Sequence, residues 1–289
     1  KKPSMIRILF IIILSILSFV AKAQDVGNSY SDAYAAFEES RFIEATEILS
    51  SLIVSENKSE YYLLRGDCFH KMEEFESALA DYDFAAQLNS ENEELLLNRG
   101  ICKISLGILE SAQIDISTFL HANQESAIAW YYLAVISYHN YDNEESINYL
   151  EKALTNKPSY MEALYLKGAN YAEQKKWSQA VKCYEQVLEL KPDFHRIILN
   201  LALIKMEVNE FEQALDDLNQ LRLLEPDFLD EIFFYRAEAR YSIHDKIGAC
   251  EDWQEAANLG DEDAVKNIKN ICEKGNKRLK HRKASYMDF

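Results

Sequence analysis

The feature that most constrains this chain is a repeat of about 34 residues. Ala45, Ala78, Ala112, Ser146, Ala180, Ala214 and Ala249 are small residues spaced 33, 34, 34, 34, 34 and 35 apart, each leading into an apolar run. Twelve residues before each stands a second small residue: Ala33, Gly66, Gly100, Ala134, Gly168, Ala202 and Ala237. Four residues after each stands a large apolar one: Leu49, Tyr82, Ile116, Leu150, Tyr184, Leu218 and Trp253. Pro158, Pro192 and Pro226 then fall at the end of three units, where a helix must stop. A period of this length marks stacked helix pairs. Two helices approach to about 8–10 Å only where the facing side chains are small, and a large residue alongside fills the remaining space. Each pair leaves an apolar face bare, so the next pair must cover it. The chain has only 8 Gly and 4 Pro in 289 residues, too few turn formers for an all-β fold. The expectation is an all-α solenoid of antiparallel helix pairs over 24–275, with repeats at 26–58, 59–92, 93–126, 127–160, 161–194, 195–228 and 230–263.

These positions resemble the tetratricopeptide repeat. Residues 161 to 194 carry its pattern at Leu164, Gly168, Tyr171, Ala180, Tyr184 and Pro192. Residues 127 to 160 carry it at Trp130, Leu133, Ala134, Ser146, Leu150, Ala153 and Pro158. The resemblance covers about 26 to 263 and implies a right-handed superhelical solenoid. The closing repeat, Gly248-Ala249-Cys250-Glu251-Asp252-Trp253 and then Leu259-Gly260-Asp261, is similar to that of exported bacterial members. After it, Ala264, Ile268, Ile271 and Cys272 share one helical side, which suits a C-terminal capping helix at 264–275.

The resemblance also implies a function. Such repeats act as non-enzymatic protein–protein interaction scaffolds, and the first helix of each unit lines a concave groove that holds a peptide or partner segment. At the groove positions this chain has Leu97, Ile101, Tyr131, Val135, Tyr138, Tyr165, Leu199 and Phe234, with Asp67 and Glu238 toward the ends. Aromatic and apolar surfaces of this kind anchor peptides. The other reading is that these side chains only brace the neighbouring helix. One subclass grips C-terminal carboxylates through a Lys/Asn clamp, and the Leu and aromatic residues here do not supply it. The alternative function is a stably assembled accessory subunit of an envelope machine for secretion, motility or outer-membrane assembly.

The N-terminus reads as a signal peptide over 1–23. Met5-Ile6-Arg7 precedes an apolar run from Ile8 to Val20 and an Ala21-Lys22-Ala23 cleavage site. Residues 1–4 read as upstream of the start. The run is short against the ~20 residues a spanning helix needs, so no membrane span is expected after cleavage. The signal style and closing repeat resemble those of Gram-negative envelope proteins, which implies the periplasm or cell envelope, with secretion as the other destination. Export places the five cysteines in an oxidising compartment. Cys68 and Cys102 occupy equivalent places one repeat apart, roughly 10 Å by helix packing and too far for a bridge. Those two and Cys183 read as buried thiols. Cys250 lies on the last repeat and Cys272 on the cap, so the two can form a disulfide or stand free.

No histidine pair has metal-ligand spacing, and no nucleophile elbow, P-loop or dinucleotide fingerprint occurs. The reading is therefore no enzyme, no cofactor and no metal. The formal net charge is −17, which sets nucleic acid aside for the body of the chain. The carboxylates read as solvated helix faces and turn caps. The last stretch is the opposite: residues 274 to 289 hold six bases against Asp288. Its segment 276–289 reads as a disordered, solvated basic tail.

Overall fold

A helix pair closes tightly where one backbone carries no side chain to hold the other away. A computed structural model of the protein describes residues 29–90, 92–224, 226–273, 282 and 286. A Cβ added at Gly168 would lie 2.5 Å from the Tyr184 ring, and one at Gly66 would lie 2.7 Å from the Tyr82 ring. Both are far inside contact distance, so the small and large positions of the repeat are two sides of one packing contact.

The described residues form fifteen α-helices and no strand. The chain divides into two compact units, Lys1–Ile136 and Ser137–Phe289. The first holds α1 (Tyr30–Glu38), α2 (Phe42–Ser55), α3 (Ser59–Lys71), α4 (Phe75–Leu88), α5 (Glu93–Ser105), α6 (Leu109–Ala122) and most of α7 (Ala127–His139). The second holds α8 (Asn143–Asn156), α9 (Met161–Glu173), α10 (Trp177–Leu190), α11 (His195–Glu207), α12 (Phe211–Arg222), α13 (Leu229–Ser242), α14 (Lys246–Asn258) and α15 (Glu262–Asn267). The core of the first unit includes Leu49, Tyr61, Tyr82 and Leu95, and that of the second Tyr165, Tyr184, Phe234 and Trp253, all buried. Cys68, Cys102 and Cys183 are buried free thiols.

Inside each pair the chain reverses through one residue in the left-handed region. These are Ser40, Glu73, Gly107, Tyr141, Lys175, Asn209 and His244, with φ between 57° and 73°. The next amide donates back to the carbonyl five residues before it, as Glu74 does to Phe69 at 2.9 Å and Lys176 to Tyr171 at 2.8 Å. That bond satisfies a carbonyl the helix end would leave open. Only Gly107 takes this conformation without the Cβ clash, which costs the others roughly 1–2 kcal/mol each. The seven turn residues are spaced like the small anchors of the sequence, so backbone and side-chain periods coincide.

One expectation needs correction: not every carboxylate is solvated. Asp81, Asp115 and Asp252 are buried. Each is gripped from the first helix of its own pair by an arginine sixteen residues earlier. Arg65 donates to both oxygens of Asp81 at 2.7 Å, and Arg99 to both oxygens of Asp115 at 2.8 and 2.7 Å. Arg236 forks onto Asp252 in the same way. Planar guanidinium and carboxylate match in two-point geometry, which lets the charge leave water.

The cap begins at Glu262, two residues before the predicted start, and continues from Ile268 to Glu273 as π-helical turns. Cys250 and Cys272 are joined, with Cα atoms 5.9 Å apart, so the cap is tied to α14. Closing a loop of that length removes about 3 kcal/mol of unfolded-chain freedom. The predicted signal segment, residues 1–23, lies outside the described residues. No described helix is long and apolar enough to cross a membrane.

Candidate partner-binding site

The first helices of the pairs carry the positions that the sequence pointed to. In the first unit, Leu97 and Ile101 are half-buried on α5, and Tyr131 and Val135 are each 7% exposed on α7. The Tyr131 ring stands edge-on to Tyr132 at 5.1 Å. Beside them lies a polar network that the sequence reading did not anticipate. Asp67 on α3 accepts the Tyr82 hydroxyl at 2.7 Å and the Asn98 side-chain amide at 2.9 Å. Burial pushes the Asp67 carboxyl up to about 6, and nearby Glu94 adds to this. The two hydrogen bonds and Lys71 pull the other way.

In the second unit, Tyr138 is half-buried on α7, while Tyr165, Leu199 and Phe234 are 1%, 1% and 0% exposed on α9, α11 and α13. The last three are the floor of the first-helix face rather than free contacts. The Tyr165 ring packs between Phe194 at 5.5 Å and Tyr184 at 6.0 Å.

Part of what covers this floor comes from the C-terminus. The expectation of a solvated, disordered tail fails at Arg282 and Tyr286, because both find partners on this face. The Arg282 guanidinium lies 4.0 Å from the centre of the Phe234 ring, pairs with Asp261 and stands 3.6 Å from Asp263. Burial works against its charge, yet Asp261, with Tyr235 and Asp263, more than offsets this, and its pKa rises above the ordinary arginine value. Asp261 is itself held in place, since its other oxygen caps α15 by accepting the Ala264 amide at 2.8 Å. Tyr286 is 4% exposed, with its ring 6.3 Å from that of Trp177. The Asn200 side-chain amide donates to the Tyr286 backbone carbonyl at 3.0 Å and reaches the Tyr165 hydroxyl at 3.4 Å. Next to Arg282 a cavity of about 380 Å³ stays open, lined by Leu203, Met206, Glu207, Phe211, Tyr235 and Glu238.

Asn200, Asp261, Arg282 and Tyr286 were all missed by sequence reasoning. A signal for Asn200 existed: it stands 102 residues, three repeats, after Asn98. At the place equivalent to Asp67 the second unit has Ala169, and at the place equivalent to Tyr82 it has Tyr184. No group of three His, Cys, Asp or Glu able to hold a metal occurs among the described residues.

Comparison with known proteins agrees with this architecture. The tetratricopeptide repeat family profile matches residues 162–194, and a second profile of the same description matches residues 109–160. A tetratricopeptide repeat protein of Parabacteroides merdae superposes with a TM-score of 0.63 at 17% identity, covering 81% of this chain and 93% of its own. The C-terminal part of a repeat protein of this type from Cytophaga hutchinsonii gives 0.62 at 19% identity, covering 82% and 98%. YrrB, described as a repeat protein with an unusual peptide-binding site, gives 0.50 at 21% identity, covering 63% and 94%. Likeness at these identities establishes the fold alone. No curated protein matches the sequence.

Proposed function

We propose that this chain, an all-α solenoid built of tetratricopeptide repeats, is a non-enzymatic scaffold that binds a peptide or partner segment. The surface assigned to binding is the first-helix face of the second unit. The observation that carries the reading is that Arg282 and Tyr286, distant in sequence, already sit there. A face that seats two side chains and a backbone carbonyl of a separate segment has the chemistry of a peptide site. YrrB, with its peptide-binding site, lends support by analogy.

The location belongs to the same proposal: the cell envelope, reached through the signal at residues 1–23. Its support is the n-region, apolar run and A-x-A site, together with a bridged Cys250–Cys272 pair suited to an oxidising compartment.

Crosslinking in envelope extract tests the reading, with the native chain beside Met206→Glu. Met206 is half-exposed and lines the open cavity, so a charge there reaches a ligand without entering the core. A partner captured by the native chain and lost by the variant is expected. Capture by both would move the binding surface elsewhere, and capture by neither would remove the scaffold reading. Fractionating cells that express the chain with and without residues 5–23 tests the location.

A further inference from the structure

Three equivalent positions in the two units differ at one residue. Tyr82, Asp67 and Asn98 in the first unit correspond to Tyr184, Ala169 and Asn200 in the second. In the first unit the carboxylate takes both donors, so Asn98 is used up by its own wall. In the second the carboxylate is gone and a methyl group stands in its place. Asn200 is 1% exposed, and a buried amide that lacks an acceptor is destabilising. Its nearest acceptor on the wall is the Tyr165 hydroxyl at 3.4 Å, and the shorter bond, at 3.0 Å, goes to a backbone carbonyl of the C-terminal segment.

We propose that this face of the second unit is a peptide site for a segment carrying an arginine and, four residues on, an aromatic residue. The chain's own Arg282 and Tyr286 occupy it until a partner segment of the same chemistry takes their place. The proposal rests on the scaffold reading above and names its ligand.

Two subsites define that chemistry. The first wants a guanidinium: the Phe234 ring supplies a face at 4.0 Å, and Asp261, its side chain 1% exposed, supplies the charge. A planar guanidinium can stack on the ring with its face while its edge pairs with the carboxylate. The second wants a ring and a carbonyl. Trp177 flanks the ring, and Asn200 reads the carbonyl. The Tyr286 hydroxyl is buried with no hydrogen-bond partner among the described residues, so the subsite does not select for a phenol. A phenylalanine fits there equally well, which is why an outside segment can compete.

Tethering favours the tail. A linked segment reaches an effective concentration on the order of 1 mM, so a free peptide with a dissociation constant near 100 μM is held back about tenfold. The excess of acid in the chain also draws a segment whose bases outnumber its acids.

The test is fluorescence anisotropy with a labelled synthetic peptide of residues 279–289. It is titrated against the full native chain and the full chain carrying Arg282→Glu and Tyr286→Ala. The double variant should bind the peptide, and the native chain should bind it at least tenfold more weakly. A peptide bearing the same two changes should bind neither chain. Equal binding to both chains would overturn the proposal, as would no binding to a double variant whose circular dichroism is unchanged. Should the double variant lose helix content, Tyr286→Ala alone is read by the same criteria. Dimerisation of the native chain that the variant loses would assign the tail to a second copy and overturn its intramolecular seat. Partner capture in the crosslinking experiment, together with failure here, would remove only the ligand chemistry and leave the scaffold.

Discussion

Asn98 and Asn200 hold equivalent places in their repeats, yet they do opposite things. Asn98 donates to Asp67, a wall residue of its own unit. Asn200 has Ala169 where that acid would be, and donates to a carbonyl 86 residues away in sequence. The first unit therefore closes its polar circuit on its own wall, whereas in the second the shortest bond of Asn200 goes to the C-terminal segment. A repeat fold keeps the frame constant, so a single acid-to-methyl difference changes what a face can accept. The lesson is local: recognition here depends on which donors the wall leaves over.

The largest expected effect comes from copying the second unit's residue into the first. Asp67→Ala strands the buried Tyr82 hydroxyl and the half-buried Asn98 amide, and a buried donor left unpaired costs about 1–3 kcal/mol. Urea unfolding followed by circular dichroism should show a loss of about 3 kcal/mol. Survival at native stability would mean the first network holds nothing.

Acidity distinguishes the units next. Asp67 titrates at about 6 when folded and near 3.8 when free, because burial disfavours its charge. The folded state thus binds the proton more tightly. Its contribution is complete below about pH 4 and lost as pH rises through 6, an effect of about 3 kcal/mol. Denaturant midpoints across this window should fall with rising pH in the native chain. The part due to Asp67 should vanish in Asp67→Asn, and a profile unchanged in that variant would refute the assignment.

Asn200→Ala removes one hydrogen bond to the tail, worth about 1 kcal/mol. Tryptic cleavage after Arg282 and Lys283 should accelerate several-fold, whereas Asn98→Ala should leave it unchanged. Smallest of all is Tyr286→Phe. It removes a hydroxyl that has no partner among the described residues, so both stability and tail protection should stay within about 0.5 kcal/mol of native. A larger loss would show that the subsite does read the phenol.

The fold was legible because its determinants are periodic. Gly66 and Gly168 announce close approach, Tyr82 and Tyr184 fill the space beside them, and the helix ends follow at fixed intervals. The candidate site was legible only as a set of helix positions. Tyr165, Leu199 and Phe234 were placed on the right face but read as contacts, whereas they are its buried floor. Burial of a groove position depends on what lies over it, and that cover is not encoded in a local period. The buried pairing of Arg65 with Asp81, and of Arg99 with Asp115, escaped notice because a carboxylate in so acidic a chain looks solvated by default. The seat of Arg282 escaped because a basic terminus looks free until the distant Asp261 and Phe234 are brought beside it.

The left-handed residue within each helix pair has one more consequence. It recurs from Ser40 to His244 at nearly constant spacing and closes every turn with the same backbone bond. Turns that alike make the two helices of a pair separable parts joined in a standard way. The pair containing Glu73 and the pair containing Lys175 share that internal turn, though one carries Asp67 and the other Ala169. Exchange of first helices at that turn would move a recognition property from one pair to another without any new joint being invented. The sameness of the turns is thus a means of diversifying the walls.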